Sequence, residues 1–257
     1  TVTGTYGITA GGAVTDSGTQ EITGVTTISA SGQNVTLDTA TNNFADEVRI
    51  TGAAITLVDE DAIDLGASTV SGTYTLTAGG AVTDTGALAI TGVTTIAAGS
   101  GNNITLDHTS NNFQAAVIVT SGNNVTLVDA GAIDLGASTV SGTYTVTAGG
   151  AVTDSGTQEI AGVTTIAAGS GNNITLNTST NNFAAAVVIT SGNNVTLVDE
   201  DAINLGASTV SGTYTLTAGG EITDTGALAI TGVTTLAAGS GNNITLDHTS
   251  NNFQAAV

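Results

Sequence analysis

Cysteine, proline, methionine and tryptophan are absent from this 257-residue chain, aromatic residues are 3%, and Lys plus Arg number 1. Each absence removes a class of answer. Without cysteine there is no disulfide framework, which fits a reducing compartment and equally a secreted bacterial protein that does without bridges. One basic residue against 21 acidic ones gives a formal charge of −20. No basic groove can then neutralise phosphates, so nucleic acid and anionic membrane surfaces are excluded as partners. No run of about 18 uninterrupted apolar residues occurs, so nothing spans a bilayer as a helix. With neither Cys nor Lys at a candidate site, covalent catalysis is left to Ser, Thr, Tyr and carboxylates, and the two histidines, His108 and His248, lie far apart. The sequence does not read as an enzyme, and no catalytic, cofactor or metal residue is assigned.

What is present repeats. Leu65-Gly66-Ala67-Ser68-Thr69-Val70-Ser71-Gly72-Thr73-Tyr74 returns unchanged at 135–144 and 205–214, and the four tyrosines are Tyr6, Tyr74, Tyr144 and Tyr214. The period is 70 residues, shortened to 68 between the first two tyrosines. The copies also alternate: Asp16-Ser17-Gly18-Thr19-Gln20-Glu21-Ile22 matches 154–160, whereas Asp84-Thr85-Gly86-Ala87-Leu88-Ala89-Ile90 matches 224–230. Self-similarity of this kind is the signature of a stacked array, in which each unit buries its apolar face against its neighbours.

Within one unit, Tyr74-Thr75-Leu76-Thr77-Ala78, Val93-Thr94-Thr95-Ile96-Ala97, Asn103-Ile104-Thr105-Leu106-Asp107 and Val125-Thr126-Leu127-Val128 alternate apolar and polar residues between Gly and Asn clusters. That is the pattern of short strands, and no 3.6-residue stripe accompanies it. Asn102-Asn103-Ile104-Thr105-Leu106 resembles Asn123-Asn124-Val125-Thr126-Leu127, so the expected architecture is an all-β parallel β-helix, or β-solenoid. It has about 23 residues per coil, three coils per 70-residue repeat and roughly eleven coils, continuous over 1–257. Leu76, Ile96, Ile104, Val119 and Leu127 should point inward and their Thr neighbours outward. Phe44, Phe113, Phe183 and Phe253 follow Asn-Asn pairs and should pack corners, while repeated Asn should form turn ladders. The two one-residue gaps in the first copy, within Ser29–Asn34 and Thr51–Ala54, should fall in turns.

Carboxylates are the remaining chemistry. Asp107, Asp129 and Asp154 end similar strands, and Asp59-Glu60-Asp61 lies near Asp64. Stacked on adjacent coils, such groups repel, and calcium, which takes oxygen ligands at about 2.3–2.6 Å, would relieve the repulsion. The favoured reading is solvated turn carboxylates, with calcium binding as the alternative. Alternating Thr73, Thr75 and Thr77 raise ice binding, but neighbouring stretches do not keep the Thr pair.

Gly101–Asp107, Asn111-Asn112-Phe113, Ser121–Asp129 and Asp134–Gly142 resemble the repeat regions of large bacterial secreted adhesins of the filamentous-haemagglutinin-like kind. The resemblance covers the whole chain. It implies a right-handed parallel β-helix, secretion to the cell surface or medium, and a structural or adhesive filament or stalk. The alternative is a calcium-dependent or carbohydrate-binding surface on the same solenoid, and the partners expected are cell-surface or glycan ligands. Both termini read as ordinary repeat, so the chain is expected to be a fragment of a longer repetitive protein, or to associate end to end.

Overall fold

In the computed structural model, which describes all residues 1–257, the chain is all-β with no helix, and its strands pair in parallel. The expected parallel β-solenoid is what the structure shows: about 12 turns in all, most of them about 20–23 residues apart. No helix is long and apolar enough to cross a membrane. The chain divides into two compact units, Thr1–Ala130 and Gly131–Val257.

In the first unit, Tyr6–Thr9 pairs with Thr26–Ser29, which pairs with Val48–Gly52. A second ladder runs Val14–Thr15, Val35–Leu37, Ile55–Asp59, Tyr74–Ala78, Thr94–Ala97 and Val117–Gly122. A third joins Ile63–Leu65, Val82–Asp84, Ile104–Leu106 and Val125–Asp129. The second unit repeats the scheme: Ile174–Leu176, Val195–Asp199, Tyr214–Ala218 and Thr234–Ala237 form one ladder, and Tyr144–Ala148, Thr164–Ala167 and Val187–Ser191 another.

The 70-residue repeat outruns three turns. From Tyr6–Thr9 the ladder passes to Thr26–Ser29, Val48–Gly52 and Ser68–Val70, and the next tyrosine comes one strand later, at Tyr74, in the other ladder opposite Ile55 and Thr94. In the second unit Tyr144 leads to Thr164, Val187 and Leu205, while Tyr214 lies in the ladder of Val195 and Thr234. The step from one such tyrosine to the next is ten strands, counted from Tyr6–Thr9 through Ser68–Val70 and from Tyr144–Ala148 through Ser208–Val210. Ten is not a multiple of three, so equivalent residues of successive repeats step to another face.

The strand period of two sets inside and outside. Leu76, Ile96, Ile104, Val119 and Leu127 are buried, as the alternation predicts, and Thr75, Thr95, Thr105 and Thr126 stand half-exposed between them. Thr94 is the exception, fully buried behind Tyr74 with its hydroxyl unpaired; Thr26, Thr164 and Thr234 do the same in the other copies. Phe44, Phe113 and Phe183 are buried, which suits corner packing. Turns are tight enough to demand glycine: Gly99 has φ 78, and a Cβ on Gly79 would lie 2.0 Å from the Glu60 carbonyl one turn back.

One expected turn proves to be a strand. The gap within Ser29–Asn34 does fall in a turn, but the residue missing near Thr51 is a β-bulge. Ile96 pairs with Val119 and Ala97 with Ser121, leaving Thr120 extra, whereas in the first copy Ile28 pairs with Ile50 and Ser29 with Thr51 without interruption. A bulge absorbs one residue without flipping the strand's faces, and Thr120 closes it by donating its hydroxyl to the Ile96 carbonyl at 3.1 Å.

Candidate functional site

The polar groups inside the coils are concentrated in one arrangement that recurs in all four copies. Asp84 ends the strand Val82–Asp84 and is buried. Its Oδ1 accepts the backbone N–H of Asp107 at 2.9 Å and of His108 at 3.3 Å, one turn on, and its Oδ2 accepts the side-chain amide of Asn111 at 2.6 Å. Asn111 is fully buried, and its Oδ1 accepts the Leu88 N–H at 2.8 Å. The same pairing joins Asp16 to Asn42 at 2.6 Å, Asp154 to Asn181 at 2.7 Å and Asp224 to Asn251 at 2.6 Å. Each pair ties the corner of one turn to the loop of the next, because the loop's amides have no ladder partner and a carboxylate accepts several at once.

A second carboxylate completes the corner. Asp59 Oδ2 accepts the Phe44 N–H and its Oδ1 the Asp61 N–H, each at 2.8 Å. Asp199 does so for Phe183 at 2.9 Å and Asp201 at 2.8 Å, and Asp129 accepts the Phe113 N–H at 2.6 Å. These aspartates are buried rather than solvated, which corrects the sequence reading for Asp59 and Asp129; Asp154 is half-exposed but tied in the same way as Asp84. The alternation of copies has a local effect too. Where Leu88 buries an apolar side chain, Gln158 is buried with its amide donating to the carbonyls of Leu135, Gly136 and Gly156.

Burial pushes the Asp59, Asp84 and Asp199 carboxyls above the usual carboxylate range, against the opposing pull of the N–H groups they accept. Asp16 is more open: desolvation still raises it, but the hydrogen bonds from Asn42, Thr39 and Asp38 together outweigh that and hold it below. The phenols of Tyr74, Tyr144 and Tyr214 are pushed up by burial.

The structure does not gather the candidate calcium ligands. Asp107 is exposed while Asp129 is committed to Phe113, and Asp154, in the second unit, accepts Asn177, Thr178 and Asn181. Glu60 and Asp61 lie about the side-chain amide of Asn43, and Asp64 accepts the hydroxyls of Thr83 and Thr85. No group of three or more His, Cys, Asp or Glu is placed to hold a metal ion. His108 and His248 each accept an N–H, from Ser110 and Ser250, at Nδ1. Two shallow clefts in the first unit, of 150 and 250 Å³, fall below the usual 300–1,000 Å³ of small-molecule sites.

Asparagine ladders form where the turns stack: Asn103 Oδ1 accepts both the backbone and the side chain of Asn124, and Asn173 Oδ1 accepts those of Asn194. The sequence reading missed the Asp–Asn pairs. Their signal is an Asp closing Val-Thr-Asp or Ile-Thr-Asp and the first Asn of Asn-Asn-Phe some 27 residues later, in every copy. It missed an outward ladder as well. Thr15, Thr36, Thr56, Thr75 and Thr95 pair in file in the first unit, and Thr153, Thr175, Thr196, Thr215 and Thr235 in the second. The file is one residue wide, since Thr77 faces Val58 and Ala97, so the Thr-x-Thr lattice is indeed not kept.

A family model described as repeats of unknown function (DUF5649) matches residues 1–51, 52–120, 122–190 and 192–257. The match boundaries recur with the same 70-residue period as the tyrosines. No curated protein matches the chain. No solved structure matches it either.

Proposed function

We propose that this chain, which belongs to that family of repeats, is a spacer segment of a secreted filament or stalk, holding adhesive parts of a longer protein away from the cell surface. The observation that carries the reading is the recurrence of one corner device, Asp84 with Asn111 and its three counterparts, in every repeat. A catalytic protein concentrates its buried polar groups in a single asymmetric site. Here they recur along the turns, and the corner carboxylates accept loop amides, as suits an element whose useful property is length.

The charge supports the same reading. A net −20 with one ion pair, Arg49 to Glu47, keeps repeated β-structure soluble during export and disfavours unspecific clumping. An extracellular place and an adhesive role also follow the resemblance to secreted adhesins. Antibodies raised against the 257-residue protein should label intact producing cells or their shed filaments, and protease treatment of intact cells should remove both the label and attachment to surfaces. Label seen only after lysis would refute the extracellular reading; label removed with attachment unchanged would refute the adhesive one.

A further inference from the structure

In every repeat an asparagine leads a turn into a strand, and a threonine follows it two residues on. Asn34-Val35-Thr36, Asn103-Ile104-Thr105, Asn173-Ile174-Thr175 and Asn243-Ile244-Thr245 hold the same position in the four copies. Asn-x-Thr with no proline between is the acceptor pattern for an N-linked sugar. All four asparagines are exposed, each directly before a strand. The strand period of two turns the threonine to the same side as the asparagine, while Val35, Ile104 and Ile174 between them are buried.

The hydrogen bonds engage the other end of the amide. Asn34 Oδ1 accepts the Ala54 N–H at 3.2 Å, Asn103 Oδ1 accepts Asn124, and Asn173 Oδ1 accepts Asn193 and Asn194. None of the three asparagines gives its own Nδ2 to another residue. An N-glycosidic bond forms at Nδ2 and leaves Oδ1 an acceptor, so a sugar is added without loss of the turn ladder. Asn124-Val125-Thr126 and Asn194-Val195-Thr196 differ: each asparagine spends Nδ2 on its neighbour's Oδ1, and the first copy has Ala54 in that place. They lie one rung, about 4.8 Å, from Asn103 and Asn173, so only one of each stacked pair has room for a sugar ring. Asn177-Thr178-Ser179 fits the wider pattern in one copy alone, where the others have Asp38, Asp107 and Asp247.

We propose that Asn34, Asn103, Asn173 and Asn243 are acceptor sites for an N-linked sugar, transferred from a phosphate-activated hexose or N-acetylhexosamine by a glycosyltransferase of the producing cell. Nδ2 attacks the anomeric carbon, and the new C–N bond replaces that carbon's bond to the phosphate oxygen. The phosphate group departs with the bonding electron pair, and one amide proton passes to a base of the transferase. The step of the repeat keeps the sugars apart. In the first unit Asn34 precedes a strand paired with Val14–Thr15 and Ile55–Asp59, whereas Asn103 precedes one paired with Val82–Asp84 and Val125–Asp129, in another ladder. Asn173 and Asn243 divide in the same way in the second. This goes beyond the spacer reading and does not rest on it, since the acceptor pattern and its exposure are the same wherever the chain resides.

The test is peptide mapping by mass spectrometry of the protein isolated from its producing cells, cleaved before aspartate because the chain has a single basic residue. Protein made in a host without N-glycosylation is the unmodified reference. Peptides 16–37, 84–106, 154–198 and 224–246 should each carry a sugar-sized mass increment, localised by fragmentation to Asn34, Asn103, Asn173 and Asn243. A single sugar marks a nucleotide-linked donor, and a preassembled block marks a lipid-linked one. Asn102, beside Asn103 but with Ile104 two residues on, should stay bare. Thr105→Val should remove the sugar from Asn103 and leave the other three sites occupied, and Thr105→Ser should restore it. Four bare asparagines in the native protein overturn the proposal. So does sugar that stays on Asn103 in Thr105→Val, or that falls equally on Asn102. Sugar on Asn124 and Asn194 with Asn103 and Asn173 bare overturns the choice of site.

Discussion

At the scale of single residues, the buried Asp–Asn pairs make the sharpest claims. Replacing Asp84 by Ala leaves the Asn111 amide and the N–H groups of Asp107 and His108 without their acceptor. Unsatisfied buried donors cost about 1–3 kcal/mol each, so a loss of about 3 kcal/mol is expected, read by urea unfolding. Asp107→Ala removes an exposed carboxylate of the same charge and should stay within about 0.5 kcal/mol. The pH dependence follows from the directions of the shifts. Asp59, Asp84 and Asp199 have folded pKa values above the ordinary 3.8, so the folded state binds protons that the unfolded state has released. Stability therefore falls as pH rises from 3.8 through the raised values, and melting temperature should climb on acidification from pH 7 toward 4. Asp16, held below 3.8, contributes stability present above 3.8 that is lost only as pH falls beneath it, so the rise should level or reverse there. A melting temperature that drops steadily from pH 7 to 4 would contradict these assignments.

At the scale of the strand, alternation and the bulge decide which changes are tolerated. Deleting Thr120 should convert the bulged pair into the uninterrupted register already present between Thr26–Ser29 and Val48–Gly52, with only a small fall in melting temperature. Deleting Thr105 from the three-residue strand Ile104–Leu106 turns one face of the strand over and should unfold the turn locally. Similar melting temperatures for the two deletions would show that Thr120 is not a spare residue. The inside of the coil was legible in the sequence because its signal is local: Leu76, Ile96 and Leu127 alternate with threonine, and burial follows the alternation. The bulge was not, because a missing residue in Thr51–Ala54 looks the same whether a turn or a strand absorbs it. The aspartate pairs were hidden for a related reason. Asp84 and Asn111 are 27 residues apart, and only the fold shows that one turn brings them within 2.6 Å.

At the scale of the molecule, register decides which residues of successive repeats meet. Self-similarity made the solenoid legible, since units that repeat bury their apolar faces by stacking on one another. The step of the repeat was not legible: dividing 70 residues into three coils is natural in the sequence, whereas the ladders place unlike residues opposite each other, Tyr74 between Ile55 and Thr94. Tyr74 and Thr94 are ladder partners and both are buried. The most direct test is a pair of distances between spin labels in the first unit, which needs no background removal because the chain has no cysteine. Thr36 and Thr95 lie in one ladder through Thr56 and Thr75, so labels at these positions should be separated by three rungs, about 14 Å at the backbone. Thr27 is the repeat equivalent of Thr95 but belongs to the ladder of Gly7 and Arg49, and the Thr27–Thr95 distance should be clearly the longer. The reverse order, with Thr27 and Thr95 at three rungs and Thr36 farther away, would mean that each repeat closes on three whole turns and would contradict the account.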